Sequence, residues 1–204
     1  MTCLRNNFFG DDLAPSRRDV VKYGAATAIS VATIPGAKDK DKFVLVHGHY
    51  DSWDVGVGDN ATGDATLERE APDWDHFDRS HRSDCRFVAR ASDGGSVLGW
   101  VALTAYSARR VYSGVAWESV YVASEARGHG LGRALLEHVI RASEEVGLWT
   151  LMAGVLAENA ASLALHERVG FRQVGIQRAI GQDGAGRWRD VVLLERRSGR
   201  VAGD

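Results

Sequence analysis

Within the 204-residue chain, the segment whose residue types and spacing most directly suggest chemistry is Arg127-Gly128-His129-Gly130-Leu131-Gly132. It follows the apolar stretch Val120-Tyr121-Val122 and opens a run with Leu131, Leu135, Val139, Ala142 and Val146 at helical spacing, closed by Gly147. Glycines at alternate positions let the backbone approach a ligand closely, and the N–H groups at a helix start attract an anion such as a pyrophosphate. An isolated Gly-x-Gly is more often an ordinary turn. Here the order strand, loop, helix favours the phosphate reading.

The elements that must position this loop follow from periodicity and turn residues. Residues 73–81 predict a short helix, with Trp74, Phe77 and Asp78 at helical spacing. Strands are predicted over 86–91 and 97–105, joined by a turn at Asp93-Gly94-Gly95, and over 115–123. After the long helix come a strand over 149–156 and a helix over 159–169 ended by Gly170. Two last strands surround Asp183-Gly184-Ala185-Gly186. The order β-β-β-α-β-α-β-β predicts a mixed α/β sheet covered by helices.

Composition narrows the class. The chain has 25 Lys+Arg against 27 Asp+Glu, a formal net charge of −2, which argues against a nucleic-acid partner because that needs a clustered positive surface. With 45% hydrophobic residues, one domain with a sizeable core plus an extra segment is expected. Cys3 and Cys85 allow at most one disulfide, and neither has a metal-ligand partner at short spacing. No stretch reaches the roughly 20 apolar residues of a membrane helix. A soluble globular protein is expected.

The N-terminal part differs in character. Lys occurs only at Lys22, Lys38, Lys40 and Lys42, and every later Lys-or-Arg position is Arg. Residues 1–42 show no helix or strand pattern that could build a core. Ser16-Arg17-Arg18-Asp19-Val20-Val21-Lys22 with the mildly apolar 23–37 resembles a twin-arginine export signal, the alternative being a disordered or helical arm. Pro35-Gly36-Ala37 is not a clean A-x-A cleavage site. Phe43-Val44-Leu45-Val46-His47 reads as a buried strand. The following stretch to Asp64 resembles a fragment of a two-zinc aminopeptidase, with His49, Asp51 and Asp59 at ligand positions. A two-metal site needs several more carboxylate and His ligands, which the rest of the chain does not offer, so no working metal site is expected and a three-ligand remnant would hold zinc only weakly.

The remaining motifs converge. The R-G-x-G-x-G segment after V-Y-V is joined by Glu158-Asn159-Ala160-Ala161-Ser162 and Leu165-His166-Glu167-Arg168-Val169-Gly170-Phe171. Thr66-Leu67-Glu68-Arg69-Glu70-Ala71-Pro72 and Gly186-Arg187-Trp188-Arg189-Asp190-Val191 complete the set. Together they resemble the GNAT superfamily of N-acetyltransferases over residues 61–197, within it the phosphinothricin and methionine sulfoximine acetyltransferases. The resemblance implies an α/β fold with a GNAT-like, mostly antiparallel mixed sheet flanked by helices, its first strand and helix replaced by unrelated sequence. It also implies acetyl-CoA as donor and transfer of acetyl to the amine of a small amino-acid-like substrate. The chain then divides into a signal-like or disordered segment (1–42), a peptidase-like fragment (43–60) and the acetyltransferase domain (61–204). Residues 58–68 fit both patterns, so the chain reads as a chimera. With the family's edge strand missing, residues 43–47 are expected to cover the exposed sheet edge.

The same resemblance implies roles. Backbone groups of Tyr121 and Val122 would pair with the pantetheine arm, and the amides of Gly128, His129, Gly130, Leu131 and Gly132, with Arg127, would hold the pyrophosphate. Asn159 would lie beside the pantetheine; as a helix N-cap it has a second, compatible role. His166 stands where many relatives have a Tyr that protonates the departing thiolate, its alternative being a packed helix residue. The family's general-base Glu position is Trp117 here, and the carboxylate is next door at Glu118. In a regular strand Glu118 faces the other way; a bulge would be needed to bring it into the cleft as the base. Two other readings stay open: a catalytically impaired acyl-CoA-binding module and an exported zinc peptidase fragment. Because acetyl-CoA is intracellular, a cytoplasmic location is expected, with twin-arginine export as the alternative. The expected partner is a small-molecule amine, with no nucleic acid and no membrane; a homodimer is left open.

Overall fold

A computed structural model of the chain describes residues 19–23, 27–33, 74–91 and 97–201. Its strands are β1 (Asp19–Tyr23), β2 (Thr27–Thr33), β3 (His81–Ala91), β4 (Val97–Ala105), β5 (Val115–Val122), β6 (Thr150–Leu156), β7 (Arg172–Gln182) and β8 (Trp188–Arg197). The helices are α1 (Trp74–Ser80), α2 (Leu131–Glu145) and α3 (Ala160–Arg168). The sheet order is β1-β2-β3-β4-β5-β6-β8-β7. All neighbours are antiparallel except β5 and β6, which run parallel.

The central strands are buried on both faces, as their nearly continuous apolar sequence requires. Val101 and Leu103 of β4 and Ala116 and Val120 of β5 face Leu131, Leu135, Leu136 and Val139 of α2. On the opposite face Trp100, Ala102 and Tyr121 pack with Phe77 of α1. The apolar residues of α2 recur at helical spacing and make its stripe. Ala142 continues it half-buried, but Val146, at the C-cap, is exposed.

Both long helices stop in the same way. At α2, Gly147 takes φ +84 and the Leu148 amide donates to the Ser143 carbonyl at 2.8 Å. At α3, Gly170 takes φ +92 and the Phe171 amide donates to the His166 carbonyl at 3.0 Å. This is the Schellman closure, in which glycine supplies the left-handed residue and the next side chain turns back onto the helix. Phe171 is buried and meets the His166 ring edge-on at 5.1 Å. Burying such a ring contributes about 2 kcal/mol relative to leaving it exposed.

The N-terminal reading needs correction. Residues 1–42 gave no strand pattern, yet β1 and β2 form an antiparallel pair, and β2 adds to β3 with Ile29↔Ala91 through Thr33↔Phe87 in register. The β3 edge offers a row of backbone donors and acceptors, and the Val, Ile and Thr residues of these two segments suit pairing with it. The edge that residues 43–47 were expected to cover is therefore taken by β2. Residues 43–47, the zinc-like His49, Asp51 and Asp59, the turn at 93–95 and residues 66–72 all lie outside the described residues. Among the described residues, no helix is long and apolar enough to cross a membrane.

Candidate functional site

The parallel pair creates the opening. β5 and β6 are in register only through Val115↔Thr150, Ala116↔Leu151 and Trp117↔Met152, while β5 stays paired with β4 as far as Gly99↔Val122. Beyond Trp117 the two parallel strands diverge. At the end of β5 lies a cleft of about 730 Å³, walled by Val122 and Arg127, by Gly128, Gly130, Leu131 and Gly132 at the start of α2, and by Asn159, Ser162 and Leu165 of α3.

The loop into α2 is shaped by its glycines. Gly128 and Gly130 take φ +75 and +78, a conformation that costs other residues about 1–2 kcal/mol. Gly130 is the N-cap and supplies no side-chain bond, and the first turn of α2 holds no acidic residue. The Ala134 amide reaches the Gly130 carbonyl at 3.0 Å. The amides of Leu131, Gly132 and Arg133 precede it and have no intrahelical acceptor, which leaves the positive end of the helix dipole at the cleft wall. Gly132 is needed for packing as well: a Cβ there would stand 2.9 Å from Leu165 Cδ2 and 3.4 Å from Val122 Cγ2. Arg127 lies at the mouth and donates from Nε to the Val122 carbonyl at 3.3 Å.

Asn159 caps α3, its Oδ1 accepting from the Ser162 amide at 3.0 Å. Next to it, Glu158 lines the cleft and accepts from Arg189 Nε at 3.1 Å. Arg189 is buried and also donates from Nη1 to Asp183 Oδ2 at 3.0 Å. The amide of Arg187, opposition from burial, the Arg187 and Arg189 side chains and the Ala185 amide act together on Asp183, and hold its carboxyl well below the usual carboxylate range. This network ties the β7–β8 turn to the cleft lip. Sequence reasoning missed it; the segment carrying Arg187 and Arg189 was noted only as a motif.

Glu118 and His166 come together, but beneath the cleft. β5 is regular, with unbroken β4 register from Ala116 to Val122, so Trp117 and Glu118 point to opposite faces. Glu118 shares the face of Ala116 and Val120, is fully buried, and meets His166 Nε2 at 2.6 Å. His166 Nδ1 lies 2.8 Å from the Ser162 carbonyl and 3.3 Å from Ser162 Oγ. The order Ser162, His166, Glu118 has the outline of a nucleophile, base and carboxylate. It cannot act as one, because a carbonyl only accepts: Nδ1 must carry the proton and has no lone pair to activate the hydroxyl. Neither Glu118 nor His166 lines the cleft. Nor do Tyr121, whose side chain is buried toward α1, and His129, which is exposed on the loop.

The polar residues buried on the α1 side of the sheet include His81 and Thr104. His81 Nδ1 donates to the Phe77 carbonyl at 2.9 Å, while its Nε2 and the Oγ1 of Thr104, its register partner on β4, have no hydrogen-bond partner. Burial pushes the His81 imidazole down to about 4. Trp117, the next residue in that row, stacks on Tyr106 with centroids 5.7 Å apart. Among the described residues no group of His, Cys, Asp or Glu is placed to hold a metal ion.

Fold and cleft together define an α/β protein with an opening where two parallel strands part. Residues 59–171 match the Acetyltransferase (GNAT) family, and the chain belongs to that family. It is 36% identical over 144 residues to the phosphinothricin N-acetyltransferase of Alcaligenes faecalis, covering 66% of this chain and 70% of that one. It is 33% identical over 119 residues to the L-methionine sulfoximine/L-methionine sulfone acetyltransferase of Pseudomonas aeruginosa, covering 58% of this chain and 69% of that one. Among solved structures it is similar to a GNAT superfamily phosphinothricin acetyltransferase from Sinorhizobium meliloti in complex with acetyl-CoA. That match has TM-score 0.61 and 28% identity, and covers 68% of this chain and 77% of that one.

Proposed function

We propose that the chain transfers acetyl from acetyl-CoA to the amine of a small amino-acid-like substrate of the phosphinothricin or methionine sulfoximine type. The observation that carries this reading is the cleft itself: a helix start with no side-chain cap, two left-handed glycines and an arginine meet where β5 and β6 separate. That chemistry fits a diphosphate. In this reading the amides of residues 128–132, with Arg127, hold the diphosphate, Asn159 stands beside the pantetheine arm, and backbone groups of Tyr121 and Val122 run along it.

Acetyl-CoA supplies an activated thioester and a thiolate leaving group. The protein's part is to align the acyl carbon with the amine, to offer the Val122 amide, which points away from β4, to charge developing on the acyl oxygen, and to take up the amine's proton. Glu118 and His166 act from beneath, fixing the first turn of α3 through the Ser162 carbonyl. A second reading has one specific support. With Trp117 in the family's base position and Glu118 buried on the opposite face, the chain would bind acyl-CoA and turn over slowly. Calorimetric titration with acetyl-CoA, followed by turnover across a panel of small amines, separates the two. Micromolar binding with turnover of methionine sulfoximine or phosphinothricin supports the enzyme, binding without turnover supports the module, and no binding by the folded protein defeats both.

A further inference from the structure

A donor that fills the cleft leaves the acceptor amine the other face of the sheet, the α1 face, where β5 and β6 part. Trp117 is the last β5 residue in register with β6, at Trp117↔Met152, and its side chain stands on that face in the row of Thr104. The surface beside the fork is aromatic. Trp117 stacks on Tyr106 with ring centroids 5.7 Å apart and planes at 25°, and Tyr106 meets Tyr112 edge-on at 5.6 Å. The Arg109 guanidinium lies 5.6 Å from the centre of the Tyr112 ring. The connection that carries these groups, residues 106–114, contains Arg109 and Arg110 and no acidic residue.

The simpler explanation is that the rings pack only on one another and seal the end of the sheet. Sealing would bury them. Tyr106 and Tyr112 instead stay 40% and 38% exposed, and Val111 between Arg110 and Tyr112 is 68% exposed. Apolar residues exposed together, rather than singly, mark a binding surface. The chemistry of this one selects its occupant. A polyamine would meet two arginines and no carboxylate on the connection. A flat ring gains an offset-stacked or edge-on contact with tyrosine and tryptophan that an aliphatic chain of equal area does not. A carboxylate on the same molecule is favoured by the two guanidinium groups.

Resting on the acetyl-transfer reading above, we infer that Trp117 and Tyr106 form the acceptor side of the site and take the planar side chain of an aromatic amino acid, phenylalanine or tryptophan. The α-ammonium of that acceptor gives up two protons, one to the departing sulfur and one to solvent, as its nitrogen replaces the sulfur on the acyl carbon.

The test combines two measurements on the full chain. Turnover of acetyl-CoA is followed with L-phenylalanine, L-tryptophan and methionine sulfoximine, and the same three compounds are titrated calorimetrically into protein saturated with CoA. The parent is expected to favour the aromatic amino acids over methionine sulfoximine by about tenfold or more in kcat/KM and in affinity. Tyr106→Leu and Trp117→Leu should each shrink that ratio by about fivefold or more, mainly through KM, with acetyl-CoA affinity within about twofold and melting curves verifying the fold. Trp117→Phe keeps a ring and should retain part of the ratio. Equal or reversed preference in the parent would overturn the inference and leave the acetyl-CoA reading standing, as would variants that weaken all three acceptors alike. Aromatic binding without turnover would uphold the subsite and defeat the enzyme. If the folded parent binds neither acetyl-CoA nor CoA, the acetyl-CoA reading falls and takes this one with it.

Discussion

Glu118 Oε1 and His166 Nε2 lie 2.6 Å apart, both side chains fully buried, and join β5 to α3 across 48 residues of sequence. Since His166 Nδ1 donates to the Ser162 carbonyl, only one further proton lies between the two side chains. It sits on Nε2, giving an ion pair, or on the carboxyl, giving a neutral pair. The second oxygen of Glu118 is buried without a hydrogen-bond partner, so the pair is held at some cost.

That arrangement ranks three substitutions. His166→Leu leaves a buried carboxyl with no partner on either oxygen and should lower stability by about 3–5 kcal/mol. Glu118→Ala strands the Nε2 lone pair and opens a cavity, for a loss of about 2–3 kcal/mol. Glu118→Gln can donate from its amide to Nε2 and should cost only about 1 kcal/mol. Urea denaturation of the three variants checks the order. A Glu118→Gln loss equal to that of His166→Leu would mean the charge itself holds the helix in place.

The glycine loop gives a second set. Gly130→Glu places a carboxylate at the start of α2 and should abolish acetyl-CoA binding through charge and bulk in a protein that still folds. At Gly128 a Cβ meets nothing within 4 Å, so Gly128→Ala is penalised only by φ +75, about 1 kcal/mol. Gly132→Ala pushes on the flexible end of Leu165 and should also cost about 1 kcal/mol, recovered in part by Leu165→Val. Unchanged calorimetric affinity in folded Gly130→Glu would remove the diphosphate from this loop.

What the sequence made legible, and what it did not, divides by range. Gly147 and Gly170 ended their helices as read, because a left-handed C-terminal closure needs only the glycine and its immediate neighbours. The loop at 127–132 was legible for the same reason. β1 and β2 were not, since pairing depends on a free edge at β3, more than fifty residues later, rather than on a pattern of their own. Glu118 and His166 could each be named, but their union required knowing which face of β5 looks at α3. The Glu158–Arg189–Asp183 chain needed the β7–β8 turn folded back on the start of α3.

His81 provides a pH dependence whose sign is fixed by burial. Its pKa falls from 6.5 to about 4 on folding, so between those values the unfolded chain binds the extra proton and the native one resists it. The contribution is fully present above pH 6.5 and is lost as pH falls toward 4, about 3 kcal/mol in all. The other groups acting on it are Arg86 and His76, both unfavourable to a second positive charge, and the Phe77 carbonyl, which opposes the shift. Denaturation midpoints should drop from pH 7 to pH 4.5 in the parent and drop less in His81→Asn, which keeps a donor toward Phe77 without titrating there. Parallel slopes would place the titration elsewhere.

The last prediction concerns the proton of the acceptor amine. The family resemblance puts the base at position 117, and the regular β5 strand sends Glu118 to the opposite face, under α3. Glu118→Gln should therefore change turnover little, and its pH profile should keep the shape of the parent's. Trp117→Glu restores a carboxylate on the α1 face of the sheet, in the row of Thr104, at the loss of one stacking contact with Tyr106. Turnover of a small amine at neutral pH should rise by about tenfold or more, and the gain should shrink at high pH, where the amine is already deprotonated. Comparing kcat/KM for the parent and both variants over pH tests this directly. A fall of about 10²-fold in Glu118→Gln at neutral pH, recovering at high pH, would show that Glu118 takes the proton after all and that β5 must open to release it.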